Sequence, residues 1–305
     1  MAVCGHSSPF RLERPFGGLT RPLNSIVERY DQDAADYSRY WGPVLEQTAS
    51  QLLEIVEAAR PEVTTGSPGL RVLDVGAGTG TLALRAIERW PTVTIVVSDA
   101  AAGMLEFARR RITDAAGLAV EADHAEFVNG SADDLPLPDG SVDVAISSFV
   151  LQLVPDRAAA LREIWRVLRP GGLLAYVTWL DRDASEPFLA AEAFDEAVYD
   201  LEIDEPDYPG EPHAGDVRSA RSAADELRRA GFVKASAREQ MLTYDWTYES
   251  YLDYKLAYDE RALLSWLDDD QRAALDKNAR SRLAELPPDA FRWHAPVVFA
   301  RAYKP

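Results

Sequence analysis

The chain has 305 residues, 47% of them hydrophobic and 27% charged, which is typical of a globular protein with a sizeable core. The formal net charge of −18 would repel a phosphate backbone and argues against nucleic acid as a partner. A single cysteine, Cys4, excludes an internal disulfide, and the four histidines lack metal-ligand spacing. No apolar run approaches the roughly 18 residues of a membrane span, so no membrane partner is expected.

The N-terminal region predicts an arm followed by two helices. Residues 1–23 contain prolines and glycines without hydrophobic periodicity, which indicates a loose arm. No apolar segment follows the early arginines, so we predict no secretory signal and a cytoplasmic protein. Asn24 or Ser25 can cap a helix that runs to Tyr40, and a second helix is expected from Pro43 to Arg60.

A strand, a glycine-rich turn and the start of a helix follow one another over residues 70–83. The strand carries Asp74. Three glycines come after it: Gly76, Gly78 and Gly80. Such a unit places bare backbone and N–H groups against a ligand. Because Gly78-x-Gly80-x-x-Ala83 also satisfies the looser dinucleotide pattern, the glycines alone leave the ligand open.

A second predicted strand, Val93 to Val97, ends at Ser98-Asp99. Asp99 lies about 20 residues past the glycines, where nucleotide-binding units of this kind carry their ribose-binding acid. A carboxylate at the end of a strand can accept both ribose hydroxyls. The residue therefore predicts a nucleoside ligand without distinguishing one nucleoside cofactor from another.

The chain continues with alternating strands and helices to about residue 180, which predicts a parallel, doubly wound sheet. Pro170-Gly171-Gly172 is expected to stop a helix near Leu168 and to turn the chain into the fifth strand. Further elements are expected towards the C-terminus: a helix over Phe188–Tyr199, a helix over Ala220–Ala230, a strand over Phe232–Tyr244, a helical stretch over Thr247–Leu286 and a last strand over Ala295–Tyr303.

Four ordered motifs over residues 70–180 together resemble those of class I S-adenosylmethionine-dependent methyltransferases of the ubiquinone/menaquinone-biosynthesis type. The first is the D-x-G-x-G-x-G turn described above. The others are the Met-Leu-containing run from Asp99 to Arg109, the loop from Gly130 to Asp143, and the segment from Leu161 to Gly172. Ser131 stands where the family usually has Asp or Asn, and Gln152 where many relatives have histidine.

The resemblance implies an α/β fold: a doubly wound, seven-stranded Rossmann-like sheet with helical cap or lid insertions and the last strand antiparallel beside the fifth. It implies transfer of a methyl group from S-adenosylmethionine, with S-adenosylhomocysteine as product, to oxygen, nitrogen or carbon of a small-molecule acceptor. Bacterial secondary metabolism and a homodimer belong to the same expectation. Two alternatives stay open, an NAD(P)-dependent oxidoreductase and a non-methylating S-adenosylmethionine-binding protein.

The resemblance also implies roles for particular residues. Met104 would lie over the adenine, Ser131 would accept from its amino group, and Asp99 would hold the ribose. The expected cofactor-binding residues are Asp74, Gly76, Ala77, Gly78, Asp99, Ala100, Met104, Ser131, Ala132 and Ser148. The expected catalytic residues, on the acceptor side, are Tyr37, Gln152 and His213. Glutamine can orient an acceptor but cannot take a proton, whereas a histidine has a pKa suited to a base.

The predicted organisation is an arm with cap helices (1–60), a cofactor-binding core (61–180), a lid insertion (181–219) and the rest of the core (220–305) with a helical insertion (247–290). Long connections of this kind usually act as lids. We therefore expect the segments outside the core to cover the carboxyl-terminal edge of the sheet, where open α/β sheets bind ligands.

Overall fold

The computed structural model describes residues 26–65, 69–116, 124–182, 187–203 and 214–305. Its strands are β1 Arg71–Val75, β2 Thr94–Asp99, β3 Ala125–Asn129, β4 Val142–Ser148, β5 Leu168–Trp179, β6 Val233–Asp245 and β7 Arg292–Tyr303. They form one sheet in the order β3-β2-β1-β4-β5-β7-β6. Strands β1 to β5 pair in parallel, and β7 runs antiparallel beside β5. The predicted fold class is confirmed, including the antiparallel last strand.

The helices in the described residues are α1 Ile26–Tyr40, α2 Gly42–Ala59, α3 Glu62–Thr65, α4 Thr81–Arg89, α5 Ala102–Ala116, α6 Arg157–Val167, α7 Leu189–Tyr199, α8 Ala220–Arg229, α9 Tyr248–Tyr254, α10 Arg261–Trp266 and α11 Asp269–Ala284. A π-helical turn over Lys255–Asp259 joins α9 to the chain before α10. None of the described helices is long and apolar enough to cross a membrane.

Several predicted elements differ in their bounds by one to three residues, and two differ more. The helical stretch expected over residues 247–286 is interrupted, because the Asp268 carboxylate accepts from the backbone of Gln271 and begins a new helix there. The fifth strand begins at Leu168 rather than after Pro170-Gly171-Gly172, so the glycines lie inside it. The pairing of β4 and β5 shifts register between Val142 and Val144, which accommodates the extra residues.

The apolar strand residues build the core, as expected for parallel strands that are covered on both faces. Val72 and Leu73 of β1 and Ile95 and Val96 of β2 are fully buried. Ile164 of helix α6 belongs to the same buried cluster as Leu73 and Val96. The buried strands hold their carboxyl ends in fixed positions, and the polar residues that follow them are fixed in turn.

The chain divides into two compact units. One contains residues 24–182, 211–242 and 295–305, and so holds β1 to β5 and the helices α1 to α6 and α8. The other includes residues 183–210 and 243–294, with α7 and α9 to α11. In the second unit, Arg282 of α11 pairs with Asp200 at the end of α7 (2.7 Å).

Candidate active site

A cavity of about 320 Å³ lies at the carboxyl ends of the parallel strands, within the unit that contains β1 to β5. Consecutive strands of the sheet each contribute a polar residue to its wall: Asp74 from β1, Asp99 from β2, Ser131 after β3 and Ser148 from β4. The volume is at the lower end of the range for ligand pockets. The position agrees with the rule that open α/β sheets bind ligands at this edge.

The structure brings eleven of the thirteen predicted site residues to this cavity: Tyr37, Asp74, Gly76, Ala77, Gly78, Asp99, Ala100, Met104, Ser131, Ala132 and Ser148. Their individual roles remain predictions. His213 lies outside the described residues. Gln152 is not among the residues that line the cavity, and its surroundings are given below.

Two glycines of the loop after β1 are required for different reasons. A Cβ on Gly76 would lie 2.4 Å from a methyl carbon of Val150, so this glycine permits close packing against the chain after β4. A Cβ on Gly78 would meet no protein atom within 4 Å. Gly78 has a φ of +55° and lines the cavity, so its missing side chain leaves backbone facing the space that a ligand would occupy.

The Asp99 carboxylate is held by the backbone on both sides. One oxygen accepts from the N–H of Gly78 (2.7 Å) and the other from the N–H of Ala101 (2.8 Å). Burial raises the pKa of this carboxyl, and the backbone donors oppose the rise. Because each carboxylate oxygen has a further lone pair, both can still accept one hydroxyl of a ligand. The backbone at the end of β2 is held by the Asn129 amide, which donates to the carbonyls of Asp99 and Ala100.

Asp74 has a buried carboxylate with an unfilled hydrogen-bonding position. The residue is 1% exposed, lines the cavity, and its Oδ2 has no hydrogen-bond partner in the described structure. Burial and the nearby negative charge of Asp99 raise the pKa of Asp74 to about 8. Neither carboxylate forms an ion pair within the described residues. A ligand with a positive charge would therefore be favoured at this position.

Ser131 is oriented by its neighbour. Its hydroxyl donates to the carboxylate of Asp133, so the lone pairs of its oxygen remain available as acceptors. Next to it, Ala132 is almost fully buried at the cavity wall. The departure from the family's Asp or Asn thus keeps an acceptor at this place.

Helix α1 covers one side of the cavity. The carboxylate of Asp31 accepts from the N–H of Gly103 in the first turn of α5, and a Cβ on Gly103 would lie 2.3 Å from the Asp31 carbonyl oxygen. Met104 is buried beside this contact. The rings of Tyr30 and Tyr37 meet edge to face at 5.5 Å, and burial together with the charge of Asp99 raises the pKa of Tyr37.

Sequence reasoning missed several of the cavity residues, which have no polar group to single them out. From α1 and α2 they include Val27, Leu45 and Ala49, and from the chain after β4 they are Phe149, Val150, Leu153, Val154 and Pro155. The Asp31–Gly103 contact was also missed. The one signal for it is a glycine in the first turn of a helix, where only a close neighbour requires it.

Gln152 lies behind the cavity wall instead of bordering the cavity as predicted. It is 2% exposed, its Nε2 donates to the carbonyl of Phe149 (2.6 Å), and its Oε1 accepts from the hydroxyl of Thr178 (2.8 Å). Both ends of the amide are therefore used inside the protein. The physical reason is the short turn after β4, which directs this side chain back towards β5.

The comparison with known families matches residues 72–172 to a methyltransferase domain. The chain is 35% identical over 169 residues to a malonyl-(acyl-carrier protein) O-methyltransferase of Methylococcus capsulatus, covering 55% of this chain and 54% of that protein. It is 44% identical over 106 residues to a ubiquinone/menaquinone biosynthesis C-methyltransferase of Xanthomonas campestris, covering 34% and 40%. The chain thus spans about half the length, or less, of these curated relatives.

Two solved structures share the fold. The (4+2)-cyclase SpnF has a TM-score of 0.53 and 19% identity, covering 94% of this chain and 98% of its own. A putative sarcosine dimethylglycine methyltransferase from Galdieria sulphuraria has a TM-score of 0.52 and 16% identity, covering 89% and 98%. The family match confirms the predicted class I methyltransferase domain and does not favour the NAD(P)-dependent alternative.

Proposed function

Because residues 72–172 match a methyltransferase domain, we propose that the protein transfers the methyl group of S-adenosylmethionine to a small-molecule acceptor. The observation that carries the proposal is the pair of carboxylates at the cavity. Asp99 presents two oriented oxygens, and Asp74 presents a buried oxygen without a partner. A nucleoside that also carries a positive charge satisfies both.

The order of the strands supports one orientation of the cofactor. Ser131 and Ala132 after β3 would border the adenine, Asp99 after β2 would hold the ribose, and Asp74 with the glycine loop after β1 would hold the amino-acid end. The strands β3, β2 and β1 are neighbours in the sheet, in the same order as the adenine, the ribose and the amino-acid end along the cofactor. The reactive methyl would then lie towards the end of β4, next to Ser148.

The residues present fit the charge of this cofactor. The Asp74 carboxyl has a pKa of about 8 because it is buried beside another acid, and a cationic group beside it would lower that pKa. The open space beside the Gly78 Cα leaves room for the ligand itself. We expect cofactor affinity to depend on both residues.

The bound cofactor would supply an electrophilic methyl group on a positively charged sulfur. The chain's own contribution is to orient the reactants and to exclude water. No His, Lys, Arg or Cys is among the described residues that line the cavity. Tyr37 keeps its proton at neutral pH because burial and Asp99 raise its pKa, so it donates hydrogen bonds. Since Asp74 and Asp99 are assigned to the cofactor, the described lining supports catalysis by positioning.

The acceptor side supports an uncharged, largely apolar acceptor. The cavity wall after β4 is made of Phe149, Val150, Leu153, Val154 and Pro155. A carboxylate or phosphate acceptor would find no cationic side chain in the described lining. The insertions at residues 181–219 and 247–290 stay predicted lids, and the homodimer and the cytoplasmic location also stay predictions.

The proposal is tested by calorimetry and by product analysis. Wild-type protein should bind S-adenosylmethionine and S-adenosylhomocysteine but not NAD. With radiolabelled S-adenosylmethionine and a panel of uncharged acceptors, label should move to an acceptor. Binding of NAD in place of the sulfonium cofactor would overturn the proposal. Tight cofactor binding without transfer to any acceptor would favour the non-methylating alternative.

A further inference from the structure

Phe149 forms part of the cavity wall with a backbone conformation that phenylalanine rarely adopts. Its φ is +55°, in the left-handed region that favours glycine. The residue follows directly after β4, is 2% exposed and lines the cavity. Strained residues of this kind persist only where their surroundings fix them, and they cluster at functional sites. The contacts that fix Phe149 are therefore informative.

Two backbone groups of Phe149 are tied to the protein. Its N–H donates to the carbonyl of Val177 in β5 (2.9 Å), which extends the pairing of β4 and β5 by one residue. Its carbonyl accepts from Nε2 of Gln152 (2.6 Å), and Oε1 of the same amide accepts from the hydroxyl of Thr178 (2.8 Å). Gln152 and Thr178 are almost completely buried, so water does not compete for these bonds.

The conformation held in this way sets the shape of the cavity wall. The Phe149 ring packs on the Trp179 ring with centroids 4.0 Å apart. The next residue, Val150, lies so close to Gly76 that a Cβ there would collide with it. A rotation of the backbone at Phe149 would therefore move both the aromatic wall and the chain that packs on the glycine loop.

We infer that Gln152 is a positioning residue, which holds the left-handed Phe149 so that Phe149 and Val150 form a fixed wall where the acceptor meets the cofactor. Glutamine is suited to this because it donates at one end and accepts at the other. Methionine has a similar length but neither bond, and an ionised glutamate cannot donate. The kinetic consequence rests on the proposed methyl transfer, whereas the structural one does not.

The kinetic test compares Gln152→Met and Gln152→Glu with wild type. Since small displacements at a reacting centre cost on the order of 10²-fold in rate, Gln152→Met should lower kcat roughly 10- to 100-fold. The cofactor Kd should change less than about threefold, because Asp99 and Asp74 are untouched. For Gln152→Glu, kcat relative to wild type should decrease as the pH rises from about 6 to about 9, because only a protonated carboxyl can donate a hydrogen bond to the Phe149 carbonyl.

Ser219→Ala is the matched control, because it removes the capping box of α8 and lowers stability without touching the cavity. Its kcat should equal that of wild type. Hydrogen exchange at the Phe149 amide gives a readout that needs no activity: protection should fall in Gln152→Met and persist in Ser219→Ala. Unchanged protection or unchanged kcat in Gln152→Met would overturn the inference. A wild type that neither binds cofactor nor transfers methyl would instead contradict the proposed function.

Discussion

Asp143 and Asp74 lie at opposite ends of neighbouring parallel strands, and their surroundings differ in charge. At the amino-terminal end, the Asp143 carboxylate accepts from the backbone N–H of Arg71 (3.0 Å) and from the Arg169 guanidinium (2.6 Å). At the carboxyl-terminal end, Asp74 has an oxygen without a partner, and neither Asp74 nor Asp99 has an ion pair in the described structure. The Asp143 carboxylate is thus paired with a cation, whereas among the described residues the Asp74 carboxyl is not.

Two further cationic side chains bind backbone carbonyls at the start of β5, at the amino-terminal edge. Lys304 donates to the carbonyl of Leu168 (2.7 Å), and Arg60 donates to the carbonyl of Gly171 (2.8 Å). These side chains satisfy backbone groups where the strands begin, so they stabilise the fold. The carboxyl-terminal edge instead holds two buried carboxyl groups whose pKa values are raised by burial, so their ionisation costs stability. The difference indicates that a ligand completes the second edge.

The largest expected effect concerns Asp99. Replacing it with alanine removes the carboxylate that we propose as the acceptor for two ligand hydroxyls, at an expected cost of about 1.5–3 kcal/mol in binding. The Kd for S-adenosylhomocysteine, measured by calorimetry, should therefore rise roughly 10- to 150-fold. Asp143→Ala, on the other edge, should lower the free energy of unfolding and leave that Kd unchanged. Equal affinities of the Asp99 variant and wild type for S-adenosylhomocysteine would contradict the claim that the carboxyl-terminal edge binds the ligand.

The same substitution at the two acids should act on stability with opposite signs. The folded-state pKa of Asp74 is about 8, above its unfolded value, so ionisation destabilises the folded protein as pH rises from about 4 to about 8. Asp74→Asn should therefore increase the free energy of unfolding at about pH 8.5 by roughly 1–3 kcal/mol, with a smaller gain at lower pH. Asp143→Asn should decrease it by about 1–3 kcal/mol, because charge-assisted bonds are lost. Urea denaturation at two pH values measures both, and a destabilised Asp74→Asn would contradict the account.

A matched pair of glycines sharpens the comparison. Gly78 and Gly171 both have positive φ (+55° and +74°), and a Cβ on either would meet no protein atom within 4 Å. Alanine should thus strain both positions by a similar amount, roughly 1–2 kcal/mol. Only Gly78 faces the cavity, so only Gly78→Ala should weaken binding of S-adenosylhomocysteine, by about tenfold or about 1.4 kcal/mol. If both variants bound alike, the ligand would not lie over the glycine loop.

The smallest effect is expected at Ser131. Ser131→Ala removes one neutral acceptor for the adenine amino group, worth about 0.5–1.5 kcal/mol, or roughly a two- to tenfold rise in Kd. The loss should disappear with a cofactor analogue whose adenine amino group is replaced by hydrogen. An equal loss of affinity for the cofactor and for this analogue would show that Ser131 does not contact the adenine amino group.

The sheet, and the meeting of the predicted cofactor-binding residues at one cavity, followed from the sequence because strand ends and a glycine turn fix them together. Asp74 and Asp99 each lie at the end of a buried strand, and parallel strands bring such ends to one edge. Gln152 was predicted wrongly as a cavity residue, because the direction of a side chain three residues past a strand depends on the turn. The left-handed φ of Phe149 sets that turn, and nothing in the residue type indicates it.

Proton release on ligand binding tests most directly the claim that a cationic ligand binds beside Asp74 at the carboxyl-terminal edge. At about pH 7 Asp74 is mostly protonated in the free protein, since its pKa is about 8, and a cationic ligand should force it to ionise. Calorimetry in buffers of different ionisation enthalpy should show release of more than about half a proton with S-adenosylmethionine, and none with uncharged 5′-methylthioadenosine. Asp74→Asn should abolish the release. Binding of S-adenosylmethionine without proton release in wild type would contradict the claim that Asp74 receives the positive charge of the ligand.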